Sequence, residues 1–459
     1  MTALWTSEAA VRATGGVSST DWVATGVSID TRTIAKGDLF VALNGQRDGH
    51  DFVADALSKG AAAALVSRVP EGVAGNDPLL IVTDVLDALG DLGRAARKRT
   101  HAKVIGITGS VGKTSTKEML RHLLQASGQV HASVRSYNNH WGVPLTLARM
   151  PEDTDFAVLE IGMNAPGEIA PLSRLADLDI ALITTVAPVH LEAFEDVEGI
   201  AVEKASISAG LRDGGHMVVN ADFPTRTVVA AQLSGLDVTW FGEAADADPI
   251  IRSISASETR QTISFLWNGL DQQFDLAATG RHFAVNALGA LAVTRLAGGD
   301  VSRAMHALST FAEPEGRGAR EALNLPQGLV TLIDESYNAN PTSMAAALDV
   351  LAQTEARRRV AILGDMLELG PQEISYHVQL ADLKAMSRID IVHCVGRRME
   401  ALYKALPKGQ RGEWFEDAGA AEVALGQLLL PGDALMIKGS NGSAVHRLVT
   451  ALKARAEGA

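Results

Sequence analysis

Short apolar runs alternate with stretches of helical periodicity through the middle of the chain. Residues 104–107 form a mostly β-branched run, whereas the apolar positions between 119 and 124 recur at helical spacing, and Gly128 follows where a helix would end. The same alternation predicts strands at 104–107, 156–161, 180–186 and 216–219 and helices at 114–126, 167–175 and 197–211. Because strands that alternate with helices pair in parallel, we expect a parallel sheet with helices on both faces and ligands at the carboxyl ends of its strands.

The pattern changes on either side of this middle region. Before it, short strands, a helix from Asp48 to Gly60 and a helix over 86–99 predict a small α/β unit. A more polar stretch, 236–280, predicts antiparallel strands appended to the parallel sheet. After the turn-forming segment 314–318 the alternation restarts, with predicted strands at 329–334, 360–364, 390–395 and 433–438. The chain is therefore predicted to divide into three α/β domains, with bounds at 1–98, 99–312 and 313–459.

The length and composition agree with that division. A chain of 459 residues exceeds a single core, because domains hold ~100–200 residues each. Hydrophobic residues make up 47% and charged residues 21% of the chain, which is typical of a folded globular protein. The net charge of −13 argues against a nucleic-acid binder or a polybasic membrane binder, although it leaves room for a locally basic site.

The cysteine content and the hydropathy of the chain predict the compartment in which the protein works. The single cysteine, Cys394, excludes an internal disulfide and a cysteine-based zinc site, and its place in the apolar run 391–395 predicts a buried structural thiol. The N-terminus lacks the basic start and apolar run of a secretory signal. Because no apolar stretch approaches the ~18 residues that cross a bilayer, we expect a cytoplasmic protein without a membrane span.

The candidate chemistry begins with the segment Thr108-Gly109-Ser110-Val111-Gly112-Lys113-Thr114-Ser115. A glycine turn between a strand and a helix gathers backbone N–H groups and the positive helix end, and a lysine followed by a hydroxyl suits such a site to a triphosphate with Mg²⁺. Lys113 would reach the β and γ phosphates, and Thr114 would offer its oxygen to Mg²⁺. The common phosphate-loop pattern has its first glycine where this chain has Ile107, so a glycine-rich turn that only packs helix against strand is the alternative.

Two further side chains belong to the same predicted sheet edge. Glu160 ends one predicted strand, and His190 follows the next. A carboxylate and an imidazole there could hold a divalent cation. The alternative for each is an ordinary loop contact or a structural histidine.

These segments, together with others along the chain, resemble the Mur ligases, which are ATP-dependent amide-forming enzymes of peptidoglycan precursor synthesis. The segments that carry the resemblance in the middle region are the glycine loop, Leu159-Glu160-Ile161-Gly162-Met163, His190-Leu191-Glu192 and Lys204. Asp30-Thr31-Arg32, residues 37–43 and Asp48-Gly49-His50 resemble the UDP-binding N-terminal domain of the branches that add the third residue and the terminal dipeptide. Tyr137-Asn138-Asn139, Gly142-Val143-Pro144 and residues 334–341 and 363–370 resemble the branch that adds the terminal dipeptide. The resemblance covers essentially the whole chain.

The resemblance implies an architecture and an activity. It implies a small N-terminal UDP-binding α/β domain, a central P-loop ATPase-type domain with a mostly parallel sheet, and a C-terminal Rossmann-like domain. It also implies ligation of D-alanyl-D-alanine to UDP-N-acetylmuramoyl-tripeptide through an acyl phosphate, with ATP and two Mg²⁺ ions. We expect these two substrates as partners, no nucleic acid, and a monomer.

The resemblance further implies roles for individual residues. Residues 108–115 would hold the ATP phosphates, with Arg317 meeting the γ-phosphate, His282 and Asn286 on the adenine side, and Asp334 on the ribose side. The first Mg²⁺ would lie on Thr114 and Glu160, and the second on His190 and a carbamylated Lys204. The implied catalytic set is Lys113, Lys204, His190 and Arg317. Without the resemblance, Lys204 would be predicted to be a solvated helix residue.

Substrate contacts are implied in two places. The implied substrate residues are Ser28, Asp30, Thr31, Arg32, Asn138, Asn139, Tyr337, Asn338 and Asn340. Asn340 precedes Pro341 and an apolar helical pattern, so it is independently predicted to cap a helix. Three positions depart from the family pattern. Phe283 in place of asparagine predicts an altered adenine-side contact, and Asn139-His140-Trp141 in place of an acidic or small sequence predicts a modified peptide pocket. Asn441 stands where an arginine is usual, so no role is carried over from that segment.

Other functions fit part of the pattern. A Mur-type ligase with a different amine, such as the enzyme that adds the third peptide residue, would share the chemistry, as would folylpolyglutamate synthase. From another class, a P-loop ATPase switch would hydrolyse ATP without ligation. The sequence has no Asp-Asn-Pro-Arg segment like the amino-acid motif of the branch that adds the third residue, which favours the dipeptide ligase. The N-terminal segments that resemble a UDP-binding domain argue against folylpolyglutamate synthase.

Overall fold

Three α/β units follow one another in the computed structural model, which describes residues 3–134, 136–257 and 259–457. The bounds of the predicted first and third domains, 1 and 459, fall outside the described residues. The N-terminal unit contains strands β1 (Trp5–Thr6), β2 (Val17–Ser18), β3 (Val23–Ala24), β4 (Gly26–Ser28), β5 (Asp38–Val41), β6 (Ala63–Val66) and β7 (Leu79–Ile81) and helices α1 (Ser7–Thr14), α2 (Val53–Ser58) and α3 (Val85–Arg99). Its main sheet has the order β2-β7-β6-β5-β4, in which only β2 runs antiparallel to its neighbour.

The central unit is built on a six-stranded sheet. Its strands are β8 (Lys103–Thr108), β9 (Val130–Ala132), β10 (Phe156–Glu160), β11 (Leu178–Ile183), β12 (Leu211–Asn220) and β13 (Val238–Phe241), and its helices are α4 (Lys113–Leu124), α5 (Gly142–Ala148), α6 (Ile169–Ala176), α7 (Val197–Ala205), α8 (Arg226–Gln232), α9 (Arg281–Leu296) and α10 (Val301–Leu308). The order is β13-β12-β11-β8-β10-β9, and every neighbouring pair is parallel. The prediction of a parallel sheet is therefore confirmed.

Helices cover both faces of this sheet, as its two separate cores show. One core contains Met119, Leu120 and Leu123 of α4 together with the apolar face of α9. The other contains residues of α5, α6 and α7 on the opposite face. Strand residues alternate between the two cores, with Ile105 in the first and Val104 in the second, because successive side chains point to opposite faces.

The polar stretch 236–280 differs in part from the prediction. β13 pairs in parallel with β12, so residues 238–241 belong to the main sheet, which the antiparallel prediction missed. The rest forms a separate antiparallel sheet of β14 (Ile250–Ala256), β15 (Gln261–Trp267) and β16 (Leu270–Leu276). The predicted helix 197–211 was too long, because α7 ends at Ala205, a 3₁₀ turn follows over Ser206–Gly210, and Leu211 begins β12.

The C-terminal unit repeats the alternation on a mixed sheet. Its strands are β17 (Ala319–Leu325), β18 (Gly328–Glu335), β19 (Arg358–Gly364), β20 (Ile391–Val395), β21 (Arg411–Phe415) and β22 (Asp433–Lys438), and its helices are α11 (Pro341–Gln353), α12 (Glu373–Gln379), α13 (Met399–Ala405), α14 (Ala418–Leu428) and α15 (His446–Glu457). The order is β17-β18-β22-β19-β20-β21, with only the edge strand β17 antiparallel. Cys394 is fully buried in β20, where burial raises the pKa of its thiol to about 12, so the predicted structural thiol is confirmed.

Membrane insertion has no candidate segment in the described ranges. Over residues 3–134, 136–257 and 259–457, no helix combines the length and the apolar character that crossing a bilayer would need.

Asn340 begins α11 as predicted. Its side-chain oxygen accepts a hydrogen bond from the Ser343 backbone N–H at 2.9 Å, and the Ser343 hydroxyl accepts one from the Asn340 N–H at 3.0 Å. This reciprocal pair satisfies two N–H groups that the helix itself leaves without acceptors.

We expect Asn340→Ala to lower the opening free energy of α11 by about 1 kcal/mol, because the first turn loses its cap. Hydrogen exchange of amides over 341–353 measures it. Asp417→Ala, which removes the equivalent cap of α14, is the matched control and should change exchange over 418–428 instead. Unchanged exchange in α11 of Asn340→Ala would contradict the prediction.

His393 makes the C-terminal sheet sensitive to acid. Its Nδ1 accepts a hydrogen bond from the Glu413 N–H at 2.9 Å, and burial, aided by the positive charge of Arg358, lowers its pKa from 6.5 to about 4. The unfolded chain therefore binds a proton at this residue between pH 6.5 and 4 while the folded chain does not, so stability falls as the pH falls through that window and is unaffected above it.

We expect His393 to cost about 3 kcal/mol of stability at pH 4 relative to pH 7, since each pKa unit corresponds to about 1.4 kcal/mol. The His393→Asn variant should lose this contribution to the pH dependence of stability. The His101→Asn variant, which replaces an exposed histidine, should keep it. Urea unfolding at pH 4 and pH 7 measures the difference in the free energy of unfolding. Hydrogen exchange of the amides over 391–395 measures the same difference locally. Equal pH dependence in His393→Asn and the native chain would refute this assignment.

Candidate active site

A cleft of about 1080 Å³ lies at the carboxyl ends of β8, β10 and β11, between the central and C-terminal units. It brings together most of the residues that the sequence singles out. Those that line it are Ser110, Val111, Gly112, Lys113, Thr114, Ser115, Asn138, Glu160, His190, His282, Asn286, Arg317, Tyr337, Asn338 and Asn340. Thr108 is fully buried at the end of β8, beneath the loop that follows.

The glycine loop is shaped by the strand beside it. Gly109 has a φ of 148°, and a Cβ there would lie 1.9 Å from the Thr184 hydroxyl oxygen, so only glycine fits. The Thr184 hydroxyl donates to the Val111 carbonyl at 2.6 Å, and the Ser110 N–H donates to the Thr185 carbonyl at 2.8 Å. The loop is therefore held in a fixed shape immediately before α4, whose N-terminus is a candidate anion site.

Lys113 folds back over this loop. Its ammonium group donates to the Gly109 carbonyl at 2.6 Å. Burial lowers the pKa of Lys113, and the positive charge of Arg317 adds to that effect, while Glu160 opposes it. The amine thus lies within electrostatic reach of both the carboxylate and the guanidinium of the cleft.

Glu160 is the most constrained polar side chain of the site. It is 1% exposed, and its two carboxylate oxygens accept hydrogen bonds from the Thr114 hydroxyl and from the Asn138 amide, each at 2.8 Å. Its backbone N–H donates to the Ser133 hydroxyl at 3.2 Å. The predicted strand-end carboxylate therefore meets the phosphate-loop hydroxyl directly.

Lys204 is buried in α7, with 1% exposure, which overturns the solvated residue that the sequence alone predicts. Its Nζ lies 3.9 Å from the Met163 sulfur. Burial holds the pKa of its amine well below the ordinary value, and the nearby charge of Lys113 lowers it further. The predicted exposure is wrong because the neighbouring α7 residues Ala201 and Ala205 belong to the hydrophobic core, which the helical pattern alone does not reveal.

His190 occupies the turn after β11 in a left-handed conformation with φ of 54°. Its Nδ1 lies 2.6 Å from a carboxylate oxygen of Glu368, which belongs to the C-terminal unit. Burial lowers the pKa of His190, although Glu368 opposes the shift, and the charges of Lys113 and Lys204 also lower it. Lys113 and His190 line the cleft, whereas Lys204 is not among the described residues that line it, and its charge acts on His190 from within the protein.

The segment between the central and C-terminal units contributes Arg317. Its guanidinium donates to the Ser136 hydroxyl at 3.3 Å and stacks over the Tyr337 ring at 4.1 Å. The Ser136 hydroxyl also lies 3.3 Å from the Thr114 hydroxyl. Arg317 therefore reaches the phosphate loop through one serine.

Asp334 braces the same segment from below. Its carboxylate accepts hydrogen bonds from the Gly316 N–H at 3.0 Å and from the Ser336 N–H and hydroxyl at 3.1 and 2.6 Å. Asp334 is 6% exposed and lines a second cleft on the other side of this segment, rather than the first.

The far side of the glycine loop is formed by α9. A Cβ on Gly112 would lie 3.0 Å from the Asn286 amide nitrogen, so Asn286 packs against the loop. His282 lines the cleft one turn earlier, and burial lowers its pKa. The neighbouring Phe283 is 1% exposed and packs near Phe311 in the hydrophobic core, so this departure from the family pattern is a core residue.

The C-terminal wall holds the remaining predicted loop. The Lys438 ammonium group donates to the Glu335 carboxylate and to the Asn338 carbonyl, each at 3.0 Å, which fixes the start of the loop. The side chain of Asn340 is committed to capping α11. Asn441, the other departure, lines both clefts.

The predicted N-terminal substrate residues lie elsewhere. Among the described residues that line the 1080 Å³ cleft, none is Ser28, Asp30, Thr31 or Arg32. Asp30 pairs with Arg32, and this hydrogen bond lowers the pKa of Asp30 to about 2. Asn139 caps the turn before α5 by accepting from the Gly142 N–H at 3.0 Å.

Sequence reasoning missed several residues that organise the site. Ser136 and Ser133 are ordinary loop serines in the sequence. Lys117 is fully buried and donates to the Ser133 carbonyl at 2.8 Å. Its spacing of four from Lys113 on a helix is the one signal that could have drawn attention to it. Glu368 lies in a segment that carries the family resemblance, but nothing in the sequence indicates its contact with His190.

Three family models match the chain in order. Residues 23–97 match the Mur ligase family catalytic domain, residues 107–294 the Mur ligase middle domain, and residues 321–441 the Mur ligase glutamate ligase domain.

Individual relatives match over nearly the full length. A UDP-N-acetylmuramoyl-tripeptide–D-alanyl-D-alanine ligase of Rickettsia prowazekii is 32% identical over 97% of this chain and 99% of its own. The crystal structure of MurF from Acinetobacter baumannii superposes with a TM-score of 0.86 at 28% identity, covering 98% of this chain and 99% of that one. MurF ligase from Thermotoga maritima in complex with ADP superposes with a TM-score of 0.79 at 25% identity, covering 94% and 98%.

We expect Gly109→Ala to weaken ATP binding at least ~10-fold, because the added methyl group would displace the loop from Thr184. Gly235→Ala is the matched control, since Gly235 also has a left-handed φ but no heavy atom lies within 4 Å of its Cβ position. The control should lose stability without losing ATP affinity. Isothermal titration with ATP measures both, and wild-type affinity in Gly109→Ala would contradict the role of the loop.

Proposed function

The chain belongs to the Mur ligase family, and we propose that it joins D-alanyl-D-alanine to UDP-N-acetylmuramoyl-tripeptide at the expense of ATP. The products are UDP-N-acetylmuramoyl-pentapeptide, ADP and phosphate, which is the activity of EC 6.3.2.10 in peptidoglycan precursor synthesis. The observation that carries this function is the full-length match to ligases of that name. The cleft adds a physical basis, because the phosphate loop with Lys113 and the buried carboxylate of Glu160 both line it.

The reaction needs ATP because a carboxylate is a poor electrophile. A carboxylate oxygen of the tripeptide attacks the γ-phosphorus, and ADP leaves. The dipeptide amine then attacks the acyl carbon of the acyl phosphate, and phosphate leaves with the bonding electrons of the C–O bond. The amine loses a proton as the amide forms.

In this scheme the protein positions and stabilises charge. The N–H groups of residues 109–115 cradle the phosphates, with Thr108 at the end of the strand beneath them. Lys113 exchanges its contact with the Gly109 carbonyl for the phosphates, and Arg317 meets the γ-phosphate beside Thr114. Positive groups that are already in place stabilise the transferring phosphoryl group without reorganisation.

The site residues fit one Mg²⁺ ion that is shared with ATP. Glu160 and Thr114 offer oxygen ligands 2.8 Å apart, and Mg²⁺ in nucleotide sites takes one or two protein oxygens and completes its shell with phosphates and water. When bound, the ion would neutralise charge on the phosphates. Within the described ranges, no group of three or more His, Cys, Asp and Glu side chains could hold an ion alone, which agrees with a shared site.

A second ion would require a changed Lys204. We propose that the buried amine of Lys204 reacts with CO₂, forming an N–C bond and releasing a proton, so that a carbamate beside His190 provides oxygen ligands. Burial favours this chemistry, because a lysine with a lowered pKa has a neutral, nucleophilic amine.

The remaining nucleotide contacts follow the walls of the cleft. His282 and Asn286 of α9 are proposed for the adenine side. Asp334 is proposed for the ribose side, although its carboxylate is already engaged by Gly316 and Ser336, so its contribution would be to hold the segment that carries Arg317.

The two other substrates are assigned to the flanking units. We propose that Ser28, Asp30, Thr31 and Arg32 bind the UDP moiety, that Asn138 and Asn139 border the peptide, and that Tyr337, Asn338 and Asn340 border the dipeptide. The helix that Asn340 caps presents its N-terminus to the cleft, which suits the carboxylate of an incoming dipeptide. Enclosure between units would shield the acyl phosphate from water.

We also propose domain bounds at 1–98, 99–312 and 313–459, because the sheets of the three units lie within them. The chain is proposed to act as a monomer in the cytoplasm, where ATP is available.

We expect Lys113→Ala to abolish ADP formation while binding of the UDP-tripeptide survives, because the lysine serves the phosphates and not the N-terminal unit. Phosphate release and titration with the UDP-tripeptide measure the two properties. Lys36→Ala, on an exposed loop of the N-terminal unit, is the control and should turn over normally. Unchanged turnover in Lys113→Ala would contradict the proposed mechanism.

The dipeptide ligase, a ligase that uses another amine and an ATPase switch differ in how ATP turnover depends on the added amine. A dipeptide ligase consumes ATP only when both the UDP-tripeptide and D-alanyl-D-alanine are present, and mass spectrometry finds the UDP-pentapeptide. A ligase with another amine makes no pentapeptide from the dipeptide but responds to a different amino acid. ATP hydrolysis that is indifferent to every amine identifies a switch.

A further inference from the structure

One of the contacts between the central and C-terminal units lies beside the cleft. Residues 190–192 of the central unit lie against residues 368–370 of the C-terminal unit, and a Cβ on Gly370 would lie 3.1 Å from the Leu191 carbonyl oxygen. In the same contact, His190 Nδ1 lies 2.6 Å from Glu368 Oε2. Both side chains line the cleft.

The backbone at this contact is strained on both sides. His190 has a φ of 54° and Glu368 a φ of 63°, values that side-chain-bearing residues rarely adopt. Of the five non-glycine residues with positive φ in the described ranges, these two contact each other. Such strain persists where the surrounding structure determines the geometry, and it is common at functional sites.

The hydrogen bond determines which nitrogen of His190 carries the proton. An ionised carboxylate only accepts hydrogen bonds, so Nδ1 must be the donor to Glu368. In the neutral ring the lone pair then lies on Nε2. A carboxylate that binds one ring nitrogen in this way orients the imidazole and makes the other nitrogen a better ligand or base.

Stability does not account for this pair. Glu368 is 57% exposed, and ion pairs between partly exposed groups contribute little to folding. The pair of His190 and Glu368 joins two strained backbones across the cleft, and it is better explained by the orientation that Glu368 imposes on the imidazole.

We propose that Glu368 is a positioning residue for the ligase reaction, which orients His190 from the neighbouring unit and makes the imidazole competent only when the two units are docked. The proposal rests on the proposed function, because His190 is placed there beside the second metal ion of the ligase reaction. Glu368 would therefore act through His190 and not by contacting the reacting atoms.

The first test measures the tautomer of His190 and needs no ligase reaction. Nitrogen NMR of the full chain with ¹⁵N-labelled histidine, assigned with His190→Asn, should show a ring protonated at Nδ1. Glu368→Ala should lose this signature, whereas Glu368→Gln should retain it, because the amide oxygen can still accept the hydrogen bond. An unchanged His190 spectrum in Glu368→Ala, or its loss in Glu368→Gln, would overturn the proposal.

The second test separates kcat from KM. Glu368→Ala should lower kcat by about 10- to 100-fold, the usual effect of removing a partner of a metal-site histidine, with the KM for the UDP-tripeptide unchanged. Glu368→Gln should restore most of kcat. Glu373→Ala is the matched control, because Glu373 pairs with Arg398 inside the C-terminal unit, and it should behave as the native chain. A native kcat in Glu368→Ala would refute the positioning role.

The two tests distinguish failure of this inference from failure of the proposed function. If the native chain makes no pentapeptide but the tautomer depends on Glu368, the ligase assignment fails and the contact stands. If the native chain is an active ligase and the His190 tautomer is indifferent to Glu368, the inference fails alone.

Discussion

A buried carboxylate holds the catalytic region together. Glu160 is almost without solvent contact, and an ionised group in that position is costly unless it is paired and hydrogen-bonded. Its partners come from two different elements, the Thr114 hydroxyl at the start of α4 and the Asn138 amide of the loop after β9. The sheet, the phosphate-loop helix and that loop are consequently fixed relative to one another before any ligand arrives.

The loop that satisfies Glu160 also connects the central unit to both neighbours. On one side, a Cβ on Gly45 would lie 2.7 Å from the Trp141 ring, so the loop lies directly against the N-terminal unit. On the other, Ser136 accepts from Arg317 at the start of the C-terminal unit. The loop that holds Glu160 through Asn138 therefore also contacts the N-terminal unit through Trp141 and the C-terminal unit through Ser136.

The features that could be predicted from the sequence depend on residues close together in the chain, whereas the features that could not depend on contacts between distant residues. The strand at 104–107 and the cap at Asn340 depend on local periodicity and on residues three positions apart, and both are confirmed. The burial of Lys204 depends on how α7 packs over the sheet, and the contact of His190 with Glu368 joins residues 178 positions apart. Periodicity carries no information on such contacts, and only the family resemblance assigned Lys204 a role at the site.

The cleft is divided between the central and C-terminal units, and the chemistry of the proposed reaction accounts for this division. An acyl phosphate that formed in an open site would be hydrolysed, and the energy of ATP would be lost. An enzyme avoids this loss when the groups that complete the site belong to different units, because the chemistry then waits for docking. Arg317 and the Glu368 carboxylate, which reaches His190, both come from the C-terminal unit, whereas Lys113 and Glu160 come from the central one. His190 and Glu368 both adopt a left-handed backbone where they meet, as expected where the surrounding structure determines the geometry of a functional contact.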